Sequence, residues 1–316
     1  MATVIEPATA DPSAGAPARR RTGRPGRSNR AWIGFVLPFL VPFVLFYVVP
    51  ICYAIGQSLT KTERTGGIFG EATTRFAGLE QYGRVFSDPG FREGVGRVLL
   101  FGVVQVPVML GFALLLALLL DSTAARLNRF FRIAYFLPYA IPGVIAALMW
   151  AFLYSPQLSP IVKALDDGGI GIDFLGSGTI LWSIANVVTW TYTGYNMLII
   201  FAALQAIPQS VYEAAKVDGA GALRTAWSIK VPLVLPALVL TAVFSIIGTL
   251  QLFTEPVVFR AISTNVPSDF TPNLLAFNTA SANNYPLAAA MSVVLALATF
   301  ILSSTFLRST SKRAGL

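Results

Sequence analysis

Six stretches of this chain are each apolar for about 20 residues, roughly the length a helix needs to cross a lipid bilayer, and any fold must accommodate all of them. They run approximately over 33–55, 97–120, 133–154, 179–204, 234–254 and 286–307. No lysine, aspartate or glutamate stands in the middle of one, and Arg97 lies at the edge of the second. Inside hydrocarbon every backbone polar group needs an internal partner, so such stretches must be helices. The expected fold is an all-α polytopic membrane protein with six transmembrane helices. Composition agrees, since 55% of the 316 residues are hydrophobic and 12% charged, against about a quarter charged in soluble domains.

Prolines interrupt several of these spans: Pro38 and Pro42, Pro107, and Pro138 with Pro142. A bilayer tolerates such breaks where neighbouring helices satisfy the freed backbone groups. The spans are therefore expected to pack as a bundle.

Residues 1–30 hold Ala, Pro, Gly and Arg with almost no large apolar residue. They are expected to form a disordered basic cytoplasmic tail, because they have too little apolar surface to bury. The head is longer than that of a cleaved signal peptide, and so is the apolar run that follows. An uncleaved first span fits better. Residues 31–316 are then expected to form one membrane domain.

Orientation follows from lysine and arginine, which collect on the cytoplasmic side. With the N-terminus inside, the inner segments hold the tail arginines, then Arg126, Arg129 and Arg132, then Lys216, Arg224 and Lys230, then Arg308, Lys312 and Arg313. These outnumber the basic residues of the outer loops, so both termini are expected to be cytoplasmic. The stretch 56–96 runs against this bias. Its basic residues are matched by Glu63, Glu71, Glu80, Asp88 and Glu93, and it is long enough to fold as a small cap.

Several chemistries are excluded within the chain. There is one cysteine, Cys52, and no histidine. That leaves no intrachain disulfide, no His-type zinc site and no His-based triad. No phosphate-binding loop of the G-x-x-x-x-G-K-[ST] type occurs. The glycines between 168 and 178 miss G-x-G-x-x-G, because Phe174 stands at the third position. The net charge of +8 lies beside apolar segments and reads as topology rather than nucleic-acid binding.

The segment 205–233 carries the most specific pattern. Ser210 and Glu213 have the spacing of a capping box, so a short helix is expected to start at Ser210. Asp218-Gly219 then signals a helix stop. A second amphipathic stretch, Leu223 to Val231, leads to Pro232 and Pro236. On local chemistry alone this is a helix–turn–helix on the membrane surface, which structure by itself can explain.

Glu213-Ala214-Ala215, then Gly219, then Ile229, Val231 and Pro232 resemble the E-A-A loop of bacterial ABC importer permeases, with valine where leucine is usual. The string from Tyr212 to Ala220 resembles the binding-protein-dependent carbohydrate-uptake branch, the maltose/glycerol-phosphate-type sugar permeases. So do Gly78 to Tyr82, Phe86 to Pro89, Phe136 to Tyr139, and Trp150. The resemblance covers nearly all of the chain beyond residue 30. It implies the transmembrane-domain fold of a type I ABC importer in a bacterial cytoplasmic membrane. Glu213, Ala214, Ala215, Asp218, Gly219 and Ala220 would then dock a cytoplasmic ATPase dimer. A second permease subunit, usually a different chain, and an extracytoplasmic solute-binding protein are also implied. ATP would be used by the partner, with no cofactor on this chain.

Polar residues recur at helical spacing in the fourth span: Asn186, Trp190, Thr193 and Asn196, with Ser183 and Thr189. At about 100° per residue they fall within an arc of about 140°. The fifth repeats the pattern with Thr241, Ser245, Gly248, Gln251 and Glu255. Polar residues in a membrane face the bundle interior or a water-filled cavity. Asn186, Trp190, Thr193, Asn196, Ser245 and Gln251 are the candidate path for a sugar or polyol. Interhelical hydrogen bonding explains the same residues. The other readings are a permease for a non-sugar solute, an ion-coupled carrier and a membrane-embedded enzyme. A carrier would need buried ionisable residues, and an enzyme a cluster of reactive side chains.

Overall fold

The computed structural model describes residues 31–65, 71–122 and 127–314. The expected tail, residues 1–30, lies outside them. The chain divides into two compact units, the first ending at Ile51 and the second beginning at Cys52. The first unit is helical throughout its described residues. It contains α1 (Ala31–Phe43), a π-turn (Val44–Val48) and the start of α2 (Val49–Ser58). The π-turn has a local cause. Pro50 has no N–H to give Phe46, and the Val49 N–H reaches Val44 instead.

The second unit opens with the folded segment expected at 56–96. A β-hairpin, β1 (Thr60–Thr65) and β2 (Glu71–Phe76), pairs antiparallel with Lys61 opposite Arg75. It is the only strand structure among the described residues. Helix α3 (Glu80–Ser87) follows. Lys61 bridges Glu63 at 3.1 Å and Glu80 at 3.0 Å. Glu80 first, then Glu63, raises the Lys61 ammonium above its ordinary 10.5. The pairing is therefore complete at neutral pH and is lost only as pH rises past that folded-state value. Being exposed, it contributes little to stability.

Helix α4 (Pro89–Leu120) starts eight residues before its apolar stretch. Asp88 caps it by accepting from the Phe91 N–H at 2.8 Å, and Pro89 supplies a ready-made first turn. The third expected span, 133–154, is not one helix. α5 (Asn128–Ala140) and α6 (Gly143–Tyr154) meet at 94°. Pro142 holds an extended ψ of 131°, and the ring of a proline also pushes the residue before it out of the helical region. Five helices among the described residues are long and apolar enough to cross a membrane, and counting the bent pair as one span brings the number to six. α7 (Pro160–Asp167) precedes α8 (Ile180–Gln205).

Two expectations for 205–233 are corrected. Helix α9 (Gln209–Val217) begins after Pro208, which is the N-cap with φ −59° and ψ 140°. Ser210 already lies inside the first turn, so it makes no capping box. The proline ring fixes the extended entry but offers no side-chain acceptor to the first-turn N–H groups. The stretch Leu223–Val231 is not a separate helix either. α10 (Ala222–Thr225), a π-turn (Ala226–Lys230) and α11 (Val231–Leu250) run on without a break. Pro232 again removes a donor, and the Val231 N–H reaches Ala226, as Val49 reaches Val44. The fifth span therefore extends straight out of the membrane-surface segment.

After α11 the chain turns at Gln251 into α12 (Thr254–Arg260), then α13 (Pro272–Ser281) and α14 (Tyr285–Ala314). α8 is the central element, packed on α4, α5 and α11. One core joins α6, α8 and α12 through Ala147, Ile184, Val187 and Phe259. A second joins α4, α8 and α11 through Ala117, Met197, Ile200 and Val234. A third holds α3 against α13 and α14 through Val85, Ala276 and Met291.

Candidate functional site: a surface helix and a central cavity

Helix α9 is short, and its two sides differ. Tyr212 and Val211 are half-buried and Ala215 is buried, which fixes one face against the bundle. Glu213, Ala214, Lys216, Asp218 and Gly219 are exposed. The residues expected to dock a partner thus divide: Glu213, Ala214, Asp218 and Gly219 point outward, Ala215 packs inward, and Ala220 is half-buried. Gly219 takes φ +73°. Its N–H bonds Lys216 O at 3.1 Å, and the Ala220 N–H bonds Ala215 O at 2.9 Å. This is the paired closure of a Schellman stop, and it needs a residue free to adopt the left-handed region. Three large apolar residues stand exposed on the same segment: Val217 at 88%, Leu223 at 74% and Trp227 at 62%. Exposed apolar surface of this kind marks a contact with a partner or with lipid. Burial first, and then the Asp121 carboxylate, pushes the Tyr212 phenol above its ordinary value, so it stays a neutral hydroxyl.

The polar stripe of α8 is split by its neighbours. Asn196 joins Ser245 and Gln251 around a cavity of about 290 Å³ between α4, α5, α8 and α11. Asn196 is itself buried and donates to Tyr192 O at 3.0 Å. The bend at Pro142 lies on this cavity, with Tyr139 on one side of the break and Gly143 on the other. Tyr139 stacks on Tyr195 at 4.7 Å and meets Tyr192 edge-on at 5.8 Å. Gln105 of α4 donates to Thr189 at 3.3 Å and accepts from Thr249 at 3.4 Å. Glu255, just inside α12, is buried and also lines the space. It reaches the cavity because α11 ends at Leu250 and the chain turns, not because it continues one helical face.

Asn186 and Trp190 lie elsewhere. Asn186 donates to the Tyr154 hydroxyl at 2.7 Å and lines a second cavity, of about 530 Å³, with Trp150, Trp182 and Phe174. Trp190 meets Trp150 edge-on at 5.7 Å. Thr193 gives its hydroxyl to Thr189 O of its own helix at 2.6 Å and lines neither space. The apolar side of α8 is covered as well, since Val187 and Met197 are fully buried. Gln105, Tyr139, Tyr192 and Tyr195 were not among the candidates. Gln105 had a signal, as an amide alone in the apolar run of α4. The tyrosines had none, since aromatic residues in a span read equally well as packing.

Residues 108–311, from within α4 to within α14, match the family described as "Binding-protein-dependent transport system inner membrane component". The sn-glycerol-3-phosphate transport system permease protein UgpA of Agrobacterium fabrum is 30% identical over 284 residues, which cover 88% of this chain and 94% of that one. The lactose transport system permease protein LacF of Rhizobium radiobacter is 34% identical over 223 residues, 69% of this chain and 73% of that one. A solved chain of a bacterial ABC transporter involved in alginate import superposes with a TM-score of 0.76, covering 90% of this chain and 96% of that one. At 18% identity that likeness establishes the fold alone. The matched span includes the surface helix and all of the central cavity's lining except Gln105, and the chain belongs to the binding-protein-dependent inner membrane components, the multi-pass permease subunits of ABC importers.

Proposed function

We propose that this permease imports a neutral sugar or polyol by alternating access, driven by ATP hydrolysis in a partner ATPase dimer. Both termini and α9 face the cytoplasm, where the outward side of α9 meets the ATPase. A second permease chain completes the path, and an extracytoplasmic binding protein delivers the solute.

One observation carries the choice of solute. The central cavity is lined by tyrosines, amides, hydroxyls and one carboxylate, Glu255, with no lysine or arginine. A phosphate or uronate entering it would leave water without a cationic partner, which is costly. Sugar hydroxyls need both donors and acceptors, which Asn196, Gln251 and Ser245 supply, and sugar ring faces suit Tyr139 and Tyr195. The relatives named for lactose and for glycerol phosphate differ on this point, and the cavity favours the neutral class. Asn186 would serve the approach through the second cavity, and Trp190 would support its wall by packing on Trp150.

The test is uptake of labelled lactose and glycerol 3-phosphate by vesicles holding the complete importer. Lactose is expected to enter and glycerol phosphate to be excluded. Asn196→Ala and Gln251→Ala are each expected to lower uptake about tenfold, the effect of one hydrogen bond to the solute lost. Thr193→Val should leave it unchanged. Glycerol phosphate uptake exceeding that of lactose would reverse the assignment of solute class.

A further inference from the structure

We propose that Asp121 is the positioning residue through which movement of α9 is passed to the spans, holding the ends of α4, α8 and α11 as one body. This rests on the permease reading of α9 as the ATPase-docking helix. Asp121 follows the last residue of α4, and both of its carboxylate oxygens are used. Oδ2 receives Lys230 Nζ at 2.5 Å, from the π-turn that leads into α11. Oδ1 receives Gln205 Nε2 at 2.7 Å, from the last residue of α8. The same Lys230 ammonium lies 5.1 Å from the centre of the Tyr212 ring of α9. The Tyr212 hydroxyl reaches Leu204 O at 3.5 Å, again on α8. One carboxylate therefore gathers three span ends, and one ammonium ties them to the surface helix.

Three physical points separate this cluster from ordinary surface pairing. The Asp121 and Lys230 side chains are 7% and 15% exposed, with Gln205 at the open edge, whereas the other ion pairs among the described residues lie at the hairpin with side chains at least 31% exposed. Removing one member of a buried pair leaves an uncompensated charge, so its geometry is held firmly. Second, an acidic residue at the C-terminal end of a helix opposes the helix dipole. Asp121 does nothing for α4 by itself, and its benefit lies in what it joins. Third, α9 has nine residues, too few to persist without tertiary anchors. The π-turn adds a residue to the helical turn just where Lys230 must point at Asp121. Such insertions recur at functional positions.

A rigid link of this kind transmits a rigid-body shift, while a loose one lets α9 move alone. The experiment uses the complete importer in proteoliposomes, with its native binding protein added as isolated. The readouts are the ATPase retained on purification and the stimulation of ATP hydrolysis by the binding protein. Asp121→Asn and Lys230→Met are each expected to keep the ATPase bound while lowering stimulation at least about fivefold, the lower end of measured coupling between sites. The double reversal Asp121→Lys with Lys230→Asp is expected to restore most of it, which a loss of general packing would not allow. Full stimulation in both single variants, or a reversal no better than either, overturns the proposal. If Asp121→Asn does not accumulate, Lys230→Met and the reversal decide. A parent complex that holds no ATPase, or that the binding protein does not stimulate, counts against the permease reading itself.

Discussion

Leucine in place of Gly194 is expected to leave no correctly packed protein in the membrane. Gly194 lies in α8 where α5 crosses it. A Cβ at this position would stand 1.8 Å from Tyr135 O, 2.5 Å from Tyr135 C and 3.0 Å from Phe136 Cα. All three are backbone atoms, so no side chain can turn aside to make room. Only a shift of α5 by an ångström or more, estimated as about the gap to ordinary contact, relieves the clash. That shift would carry Tyr139 away from Tyr195 and open the central cavity. Overpacking costs about 1–3 kcal/mol where neighbours can adjust, and a backbone contact puts even alanine at or above the top of that range. The measurement is yield and size-exclusion profile in detergent. Gly111→Ala is the control, since nothing lies within 4 Å of its added Cβ. A Gly194→Leu protein that elutes and melts like the parent would show that α5 and α8 do not approach this closely.

Glu213→Ala and Gly219→Val are expected to release the ATPase while the permease still inserts. Glu213 is exposed on the outward side of α9, so its loss costs the chain little and the docked partner a charged acceptor. Hydrogen bonds to charged groups contribute about 1.5–3 kcal/mol, so affinity should fall at least about tenfold. Gly219 acts differently. Space around it is open, and the only obstacle to a side chain is its φ of +73°. Asparagine tolerates that region and valine does not. Gly219→Asn should therefore keep the ATPase, and Gly219→Val should lose it by undoing the helix stop. The check is the ratio of ATPase to permease after affinity purification. Equal ratios in all three variants would remove α9 as the docking element.

The two corrections at α9 show where local reading fails. Ser210 and Glu213 matched a capping box, yet Pro208 starts the helix two residues earlier. Both devices mark a helix N-terminus, one by an acceptor for free N–H groups and one by a fixed φ, and spacing alone does not choose between them. The hairpin at 60–76 had a sign in its threonines, at 60, 62, 65, 73 and 74. They are β-branched and suit a strand. The usual alternation of apolar residues is missing, because the paired positions of this ladder carry mostly charges and hydroxyls. Prolines 138 and 142 were read as a tolerated interruption. Pro142 makes a 94° corner of it, and the tertiary structure sets that corner on the cavity wall.

The sequence by itself determined the spans, the proline breaks and the surface helix with its glycine stop. The reason is that each is set by a local requirement: a bilayer's thickness, a missing N–H, a positive φ. It also placed a polar stripe on α8, but an arc of about 140° does not say which neighbour covers which part of it. Only the tertiary structure decided that Asn196 meets Ser245 and Gln251 in one cavity while Asn186 lines another and Trp190 packs on Trp150. It likewise decided that Asp121 pairs with Lys230, 109 positions along the chain. Such contacts depend on how helices cross, and that leaves no trace in residue spacing.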